Sequence, residues 1–461
     1  MISEVSIGTR RVSEVLRENP LDRIIPTHRE LIPDINELYE LELAFFESSL
    51  LTDDEIVRSG GYFARVGDRL TRHYLMCSGD PVKLPRHSSS RLRSFFSTNQ
   101  FRTGYATHGL FPYRGKFHPQ MIKGVINSMG LKPGDTVLDP MMGSGTVLIE
   151  ASLMGINSVG CDISPFCQFM TKAKLEALTL PLKPIRPWLN DPRPIFDYFK
   201  LAAGAPIQGS KSRFAPLQDD LFAIRERPDG RADRTLSEKG LDNLLEYQPM
   251  RDFLLLAYLD SAGYSERSKR KPPYDQFRAI LDRYLFVAEK VQTALQGTED
   301  EIGTTDARVA DARELPLDNG SVDGIVFSPP YSFAIDYLQN DSFHLRSMGI
   351  SVDELRKNMI GLRGKSQQEK YGLYRSDMEK VVSECSRVLR GGGICSIIVG
   401  TNNNQLSKIL GVSPGDVQGI DEFLVEEGER HGLRLVHRLS RKITGIANTM
   451  RTEFILMLER E

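Results

Sequence analysis

The segment TVLDPMMGSGTVLIEASLMGINSVGCD, residues 136–162, decides the fold. Its first four residues form a short apolar run that predicts a buried strand ending at Asp139. Gly143-Ser144-Gly145 then predicts a tight turn whose backbone N–H groups open a helix, where a polar ligand can press against them. Val147, Leu148, Ala151 and Met154 fit one helix, Gly155 stops it, and 158–162 reads as a second strand ending at Asp162. An acid 23 residues beyond Asp139, at the end of that strand, is placed to hold both hydroxyls of a ribose. The turn lacks the third glycine of GxGxxG and no Gly-Lys-Ser/Thr follows, so neither a dinucleotide fingerprint nor a P-loop is complete.

Outward from this unit the rhythm of strand and helix continues, which implies a parallel sheet. ARVA (307–310), VDGIVF (322–327) and ICSIIVG (394–400) predict further strands, and LRLVHRLSRKI (433–443) with TEFILMLER (452–460) predicts a closing antiparallel hairpin. Ser376 and Glu379 form a capping box for a helix running to Gly391. Between the second and third strands, residues 176–302 read as an inserted, mostly helical subdomain: Pro181, Pro184, Pro187, Pro192 and Pro194 are followed by apolar helical stretches at 250–260 and 274–295. Residues 1–104 read as a helical N-terminal region, with Leu31, Ile35, Leu38, Leu41 and Phe45 at helical spacing and a Thr52–Glu55 capping box. The core is therefore split into 105–175 and 303–461.

The second landmark is Ser328-Pro329-Pro330-Tyr331, directly after the strand 322–327. Two prolines cannot continue a central strand, so the chain must leave the carboxyl edge of the sheet there. The stiff loop presents a hydroxyl, a backbone carbonyl and an aromatic ring to the crevice.

The paired motifs resemble those of the S-adenosylmethionine-dependent amino DNA methyltransferases, in which the first segment binds cofactor and a (D/N/S/T)PP(Y/F/W) segment is catalytic. Serine in first place resembles the N4-cytosine type, and GLFPYRGKFHPQM (109–121) resembles the additional cofactor segment of that family. The resemblance implies a Rossmann-like class I methyltransferase fold with a seven-stranded mixed sheet. It implies cofactor contacts from Phe117, His118, Asp139, Pro140, Gly143, Ser144, Gly145, Thr146, Asp162, Ile163, Asp311 and Ala312. It implies that Ser328, Pro329, Pro330 and Tyr331 receive a flipped-out base. The hydroxyl and the Pro329 carbonyl would accept from the exocyclic amine, and the Tyr331 ring would stack on the base. The implied partner is double-stranded DNA, with a companion restriction endonuclease as a further candidate.

Composition bounds the rest. The 461 residues carry 59 Lys+Arg against 61 Asp+Glu, a formal charge of −2, with 40% hydrophobic and 26% charged content, as in an ordinary globular chain. No apolar run reaches the roughly 20 residues of a membrane helix, and the first residues lack a signal peptide's apolar centre. Five cysteines without a CxxC pair suit a reducing cytoplasm, and no histidine spacing suggests a metal. The neutral total hides a stretch from Pro81 to Gly134 without an acid, in which nine lysines and arginines alternate with aromatics. Arg114 and Lys116 there, and Arg363 and Lys365 beyond the catalytic loop, are the candidate phosphate contacts. The expected activity is methylation of cytosine N4 in a specific DNA sequence, with the 176–302 insert favoured as the recognition element. Adenine-N6 methylation, RNA guanine-N2 methylation and an inactive nucleic-acid-binding homologue stand as alternatives.

Overall fold

The computed structural model describes residues 24–33, 35–77, 103–113, 115–204, 236–268, 272–298, 301–330, 336–400, 403–443 and 452–461. Three short strands in the N-terminal region form an antiparallel sheet: β1 (Arg29–Leu31), β2 (Phe63–Val66) and β3 (Arg69–Leu70), accompanied by helices α1 (Leu38–Leu50), α2 (Asp53–Ser59) and α3 (Arg72–Cys77). This corrects the purely helical expectation. Val66-Gly67-Asp68-Arg69 is a hairpin turn, with Gly67 at φ 57°, flanked by only a few strand residues. Helix α1 also begins later than its apolar spacing suggests. Leu31 lies in β1, Leu38 and Phe45 are exposed, and the buried face is Tyr39, Leu43, Ala44 and Glu47. The Glu47 carboxylate accepts from Gly61 N, Tyr62 N and Asn127 Nδ2, which ties α1 to β2 and to α4 (Pro119–Ser128); burial pushes its pKa up to about 7.

The core follows as β4 (Thr136–Asp139), α5 (Thr146–Leu153), β5 (Asn157–Asp162) and α6 (Pro165–Glu176). Among the described residues, four α-helices then precede the next strand: α7 (Arg193–Gly204), α8 (Leu236–Glu246), α9 (Gln248–Ser268) and α10 (Pro273–Leu295). β6 (Thr305–Val309) and β7 (Val322–Phe327) lead to α11 (Tyr337–Ser347), α12 (Val352–Asn358) and α13 (Gln367–Val388), and the chain closes with β8 (Leu389–Gly400), α14 (Asn403–Leu410), α15 (Ile420–Arg430), β9 (Leu433–Lys442) and β10 (Thr452–Arg460). Helix α13 starts ten residues before the expected cap, because Ser366 Oγ, not Ser376, accepts from the N–H three residues on, that of Glu369. It ends at Val388, and the three glycines that follow belong to β8.

The main sheet has seven strands in the order β6-β5-β4-β7-β8-β10-β9, parallel except for β10, which runs antiparallel to both of its neighbours. That is the expected mixed sheet with its terminal hairpin. The chain builds β4, β5 and β6 outward in one direction and then returns to place β7 on the other side of β4. A reversal of this kind opens a crevice at the carboxyl ends of the two central strands. Helices α13 and α15 cover one face of the sheet through Met378, Val381, Phe423 and Leu424. The other face is covered by α4 and α5, with α1 laid over α4. Helix α9 packs on α6, and α10 on α9, in a further layer whose cluster includes Phe166, Met170, Phe253, Leu256, Tyr284 and Ala288. The inserted helices thus share an apolar cluster with the core helix that follows β5.

Candidate active site

Both motifs reach the crevice because β4 and β7 are hydrogen-bonded neighbours, with Leu138 opposite Ile325. The loop after β4 and the prolines after β7 form two walls of a cleft of about 1000 Å³ including its open mouth. Pro140, Gly143, Ser144, Thr146, Asp162, Ile163, Asp311, Ala312, Phe117, Ser328, Pro329 and Pro330 all line it. Tyr331 and Arg114 lie outside the described residues.

The glycine turn is held by steric necessity. Gly145 caps α5 at φ 75°, and a Cβ there would sit 2.5 Å from Thr171 Cγ2. Asp162 braces the same turn from β5, with Oδ2 accepting from Gly143 N at 2.9 Å and Oδ1 from Ser164 N at 2.8 Å. Burial raises its pKa to about 6, although those two backbone donors favour the charged form. Asp139 is fully buried beneath the loop and is not a lining residue. Oδ1 accepts from Met141 N, while Oδ2 has no hydrogen-bond partner among the described residues, and burial drives its pKa well up. His118 is the residue before α4 and does not line the cleft, and Gly145 likewise supports the turn from behind. Asp311 does line it, with its carboxylate clamped by Arg313 through Nη2 at 2.6 Å and Nε at 2.9 Å; burial opposes the charge, but this clamp holds the pKa below its usual value. On the opposite wall Ser328 Oγ donates to Pro329 O at 3.3 Å, which leaves hydroxyl lone pairs for a further donor.

Several lining residues carry no sequence signal of their own. Tyr113 lies over the turn, its Cε1 3.4 Å from where a Gly143 Cβ would be, and its hydroxyl is 3.6 Å from Cys167 Sγ. Leu338 and Asp341, one turn apart on α11, line the cleft with Met359 and Ile360. Tyr113 was legible only as part of the upstream segment, and the α11 residues only once the helix phase was known.

The basic stretch resolves differently from its reading as a phosphate contact. Lys83, Arg86, Arg91, Arg93 and Arg102 lie outside the described residues. Lys116 turns inward, its ammonium donating to Thr103 O at 2.6 Å and His108 O at 3.0 Å, and burial lowers its pKa to about 8. Lys123 is buried against Glu150 at 3.2 Å, and Lys132 pairs with Glu55 at 2.9 Å. The aromatics between them serve the core, with Tyr105 and Phe111 buried. Beyond the catalytic loop Arg363 pairs with Asp377 and Arg356 with Asp336, whereas Lys365 is exposed. One group among the described residues, Glu379, Glu427 and His431, brings three ligand-type atoms within 4.8 Å of one another outside the cleft; Glu427 is also engaged by Arg430.

Residues 83–172 match the DNA methylase family of N6 and N4 methyltransferases. The chain is 46% identical over 69 residues to the type II methyltransferase M.MjaII of Methanocaldococcus jannaschii, covering 15% of this chain and 13% of that protein. It is 23% identical over 341 residues to the type II methyltransferase M.BsoBI of Geobacillus stearothermophilus, covering 65% of each. A tRNA (guanine(10)-N2)-dimethyltransferase of Methanothermobacter thermautotrophicus is 47% identical over 53 residues, 12% of this chain and 16% of that protein. The chain thus spans between 13% and 65% of the length of these relatives. The cofactor that accompanies the matched segment is S-adenosyl-L-methionine, and the lining suits it: a buried acid for a diol, a tight glycine turn that lets a ligand approach the backbone, and an apolar cleft. By that segment, and by the two motifs that meet at the topological reversal, the chain is similar to the amino DNA methyltransferases.

Proposed function

We propose that the chain transfers a methyl group to the exocyclic N4 amine of a cytosine turned out of duplex DNA. The observation that carries this reading is the single cleft shared by the Asp162 turn and the Ser328-Pro329-Pro330 loop. S-adenosyl-L-methionine supplies an electrophilic methyl group on a sulfonium. The chain's part is to bring an amine to that methyl in line and to relieve the amine of its conjugation with the ring.

A cytosine amine is a weak nucleophile because its lone pair is spread into the ring. Ser328 Oγ and the Pro329 carbonyl, adjacent acceptors on a loop stiffened by two prolines, receive its two N–H groups and favour the pyramidal nitrogen of the transition state. The methylated nitrogen then loses a proton, which this loop can pass on toward solvent at the open mouth. Asp162 takes the ribose hydroxyls, the turn at Gly143–Gly145 accommodates the methionine end, and Asp311 with Ala312 frames the adenine. Tyr331 stacks on the extruded base, at roughly 1–3 kcal/mol by the usual worth of such stacking. Duplex DNA is the substrate, and the inserted helices packed on α6 supply the recognition surface.

Nucleoside analysis of DNA treated with the protein and labelled cofactor tests the reading. Label in N4-methylcytosine supports it. Label in N6-methyladenine moves the assignment to the other amine, and label in tRNA with duplex DNA refused moves it to RNA.

A further inference from the structure

Three parts of the chain that are far apart in sequence meet at one aromatic node behind the cleft. The His344 ring, on α11 and 1% exposed, stacks on Phe166 of α6 with centroids 5.0 Å apart and planes 13° apart. Phe111 meets both rings edge-on, at 5.0 Å from His344 and 5.3 Å from Phe166. The floor of the node is the insert. Gly263 of α9 lies so close to His344 that a Cβ there would be 2.4 Å from Cε1 of the ring.

Each member of the node leads to the cleft. His344 shares a helix face with Asp341, three residues earlier, which lines the cleft together with Leu338 one turn before it. Phe166 follows the Asp162–Ser164 turn by two residues. Phe111 precedes Tyr113, whose ring lies over Gly143. Phe111 also stands at φ 53°, a conformation that a bulky residue keeps only when its surroundings over-determine it. Those surroundings again include the insert: Tyr284 of α10 is hydrogen-bonded to the Phe111 backbone, and Asp260 of α9 accepts from Tyr284 at 3.4 Å and from Arg283 at 2.6 Å.

We propose that His344 is a positioning residue for the methyl-transfer reaction, its ring stacked on Phe166 and seated on Gly263 so that the inserted helices hold the α11 wall of the cleft in register with the cofactor turn. The inference rests on the methyltransferase reading, but it assigns the insert a role in shaping the cleft that recognition alone would not require. His344 does not line the cleft itself. It acts through Asp341 and Leu338, so its loss should change how well the cleft is formed rather than remove a reacting group.

The test uses the full-length protein with four variants: His344→Ala, His344→Phe, Gly263→Ala and the double variant Gly263→Ala/His344→Ala. Cofactor affinity is read by calorimetry with S-adenosyl-L-methionine, kcat and KM by methyl transfer to DNA, and folding by circular dichroism. We expect His344→Ala and Gly263→Ala each to weaken cofactor binding and lower kcat by about tenfold or more while remaining folded. His344→Phe, which keeps a ring on Phe166, should restore most of both. The double variant should lose less than the product of the single effects, because the new methyl enters space that the ring has vacated. Wild-type values within twofold in both folded single variants would overturn the proposal. So would His344→Phe being as impaired as His344→Ala, since the imidazole nitrogens rather than the stack would then matter. If His344→Ala does not fold, Gly263→Ala against His344→Phe decides on the same readouts. Absence of cofactor binding and transfer in the wild type would instead refute the methyltransferase reading, which separates the two failures.

Discussion

Replacing Asp162 with asparagine isolates charge from shape at the centre of the cleft. The carboxylate accepts from Gly143 N and Ser164 N, and each oxygen keeps capacity for one ribose hydroxyl. Asparagine keeps one acceptor, loses the charge and must turn its NH₂ toward one of those two backbone donors. Hydrogen bonds to a charged group contribute about 1.5–3 kcal/mol each, so losing one and weakening the other costs about 3 kcal/mol, roughly 10²-fold in cofactor affinity. The free carboxyl has its pKa raised from 3.8 to about 6 by burial, and it is the ionised form that receives the hydroxyls. Wild-type binding is therefore full above pH 6 and declines as pH falls through it, by about tenfold at one unit below. Asparagine has no such titration, so its weaker binding should be level across this range.

Stability supplies the control. A carboxyl raised by about two units costs the fold about 3 kcal/mol once it ionises above pH 6, and asparagine removes that cost while adding a donor-against-donor contact of about 1–3 kcal/mol. The two offset, so the melting temperature at pH 8 should move by only a few degrees. Calorimetric titration with S-adenosyl-L-methionine from pH 5 to 8 is the assay. Undiminished affinity in Asp162→Asn, or a wild-type profile level through pH 6, would refute the assignment of Asp162 to the cofactor.

The other expectations concern separate links of the same chain. Ser328→Ala should lower kcat by about 10²-fold, by analogy with a lost oriented hydrogen bond, and leave cofactor affinity within twofold; a fall in affinity instead would place the hydroxyl on the cofactor. Glu150→Ala should cost about 3–5 kcal/mol in denaturant unfolding, because it strands the buried Lys123 ammonium and removes the partner of Tyr105 and His108. The Glu150 network should also strengthen the fold most above pH 6.5. His108 is held at about 4, chiefly by burial, and Glu150 near 2 against burial by Lys123 and its hydrogen bonds, so their contributions fade as pH drops from 6.5 through 4 to 2. Glu47 and Asp162, raised to about 7 and about 6, act in the opposite sense, so Glu150→Ala should be compared with wild type at each pH. Gly145→Ala should weaken cofactor binding by at least tenfold. Thr171→Ala added to it should recover only part, since the φ of 75° remains after the 2.5 Å clash is gone.

Much of this was fixed by local chemistry that any stretch of chain displays. Strand β4, the glycine turn, Asp162 and the double proline after β7 are legible because each rests on backbone rules acting within a few residues: apolar runs, positive φ and a missing N–H. The same rules misjudged α1 and the start of α13, where several caps and apolar spacings compete and packing against α4 or the sheet selects among them. They also missed β1–β3, because β1 pairs with β2 across more than thirty positions and the β2–β3 hairpin has only a few strand residues.

Charge was the least legible property. Lys116, Lys123 and Lys132 look like a surface for phosphates because their partners, His108 and Thr103 carbonyls, Glu150 and Glu55, are assigned only by the fold. By itself the sequence determined the glycine turn after β4, the acid Asp162 ending β5 and the double-proline loop after β7. Only the tertiary structure decided that they face one cleft, by setting β7 beside β4, and that α11 and the insert complete it. Hydrogen bonding along a strand and conformational limits in a turn are local, whereas strand neighbours, helix phase and the partner of a buried charge are settled by packing over the whole chain.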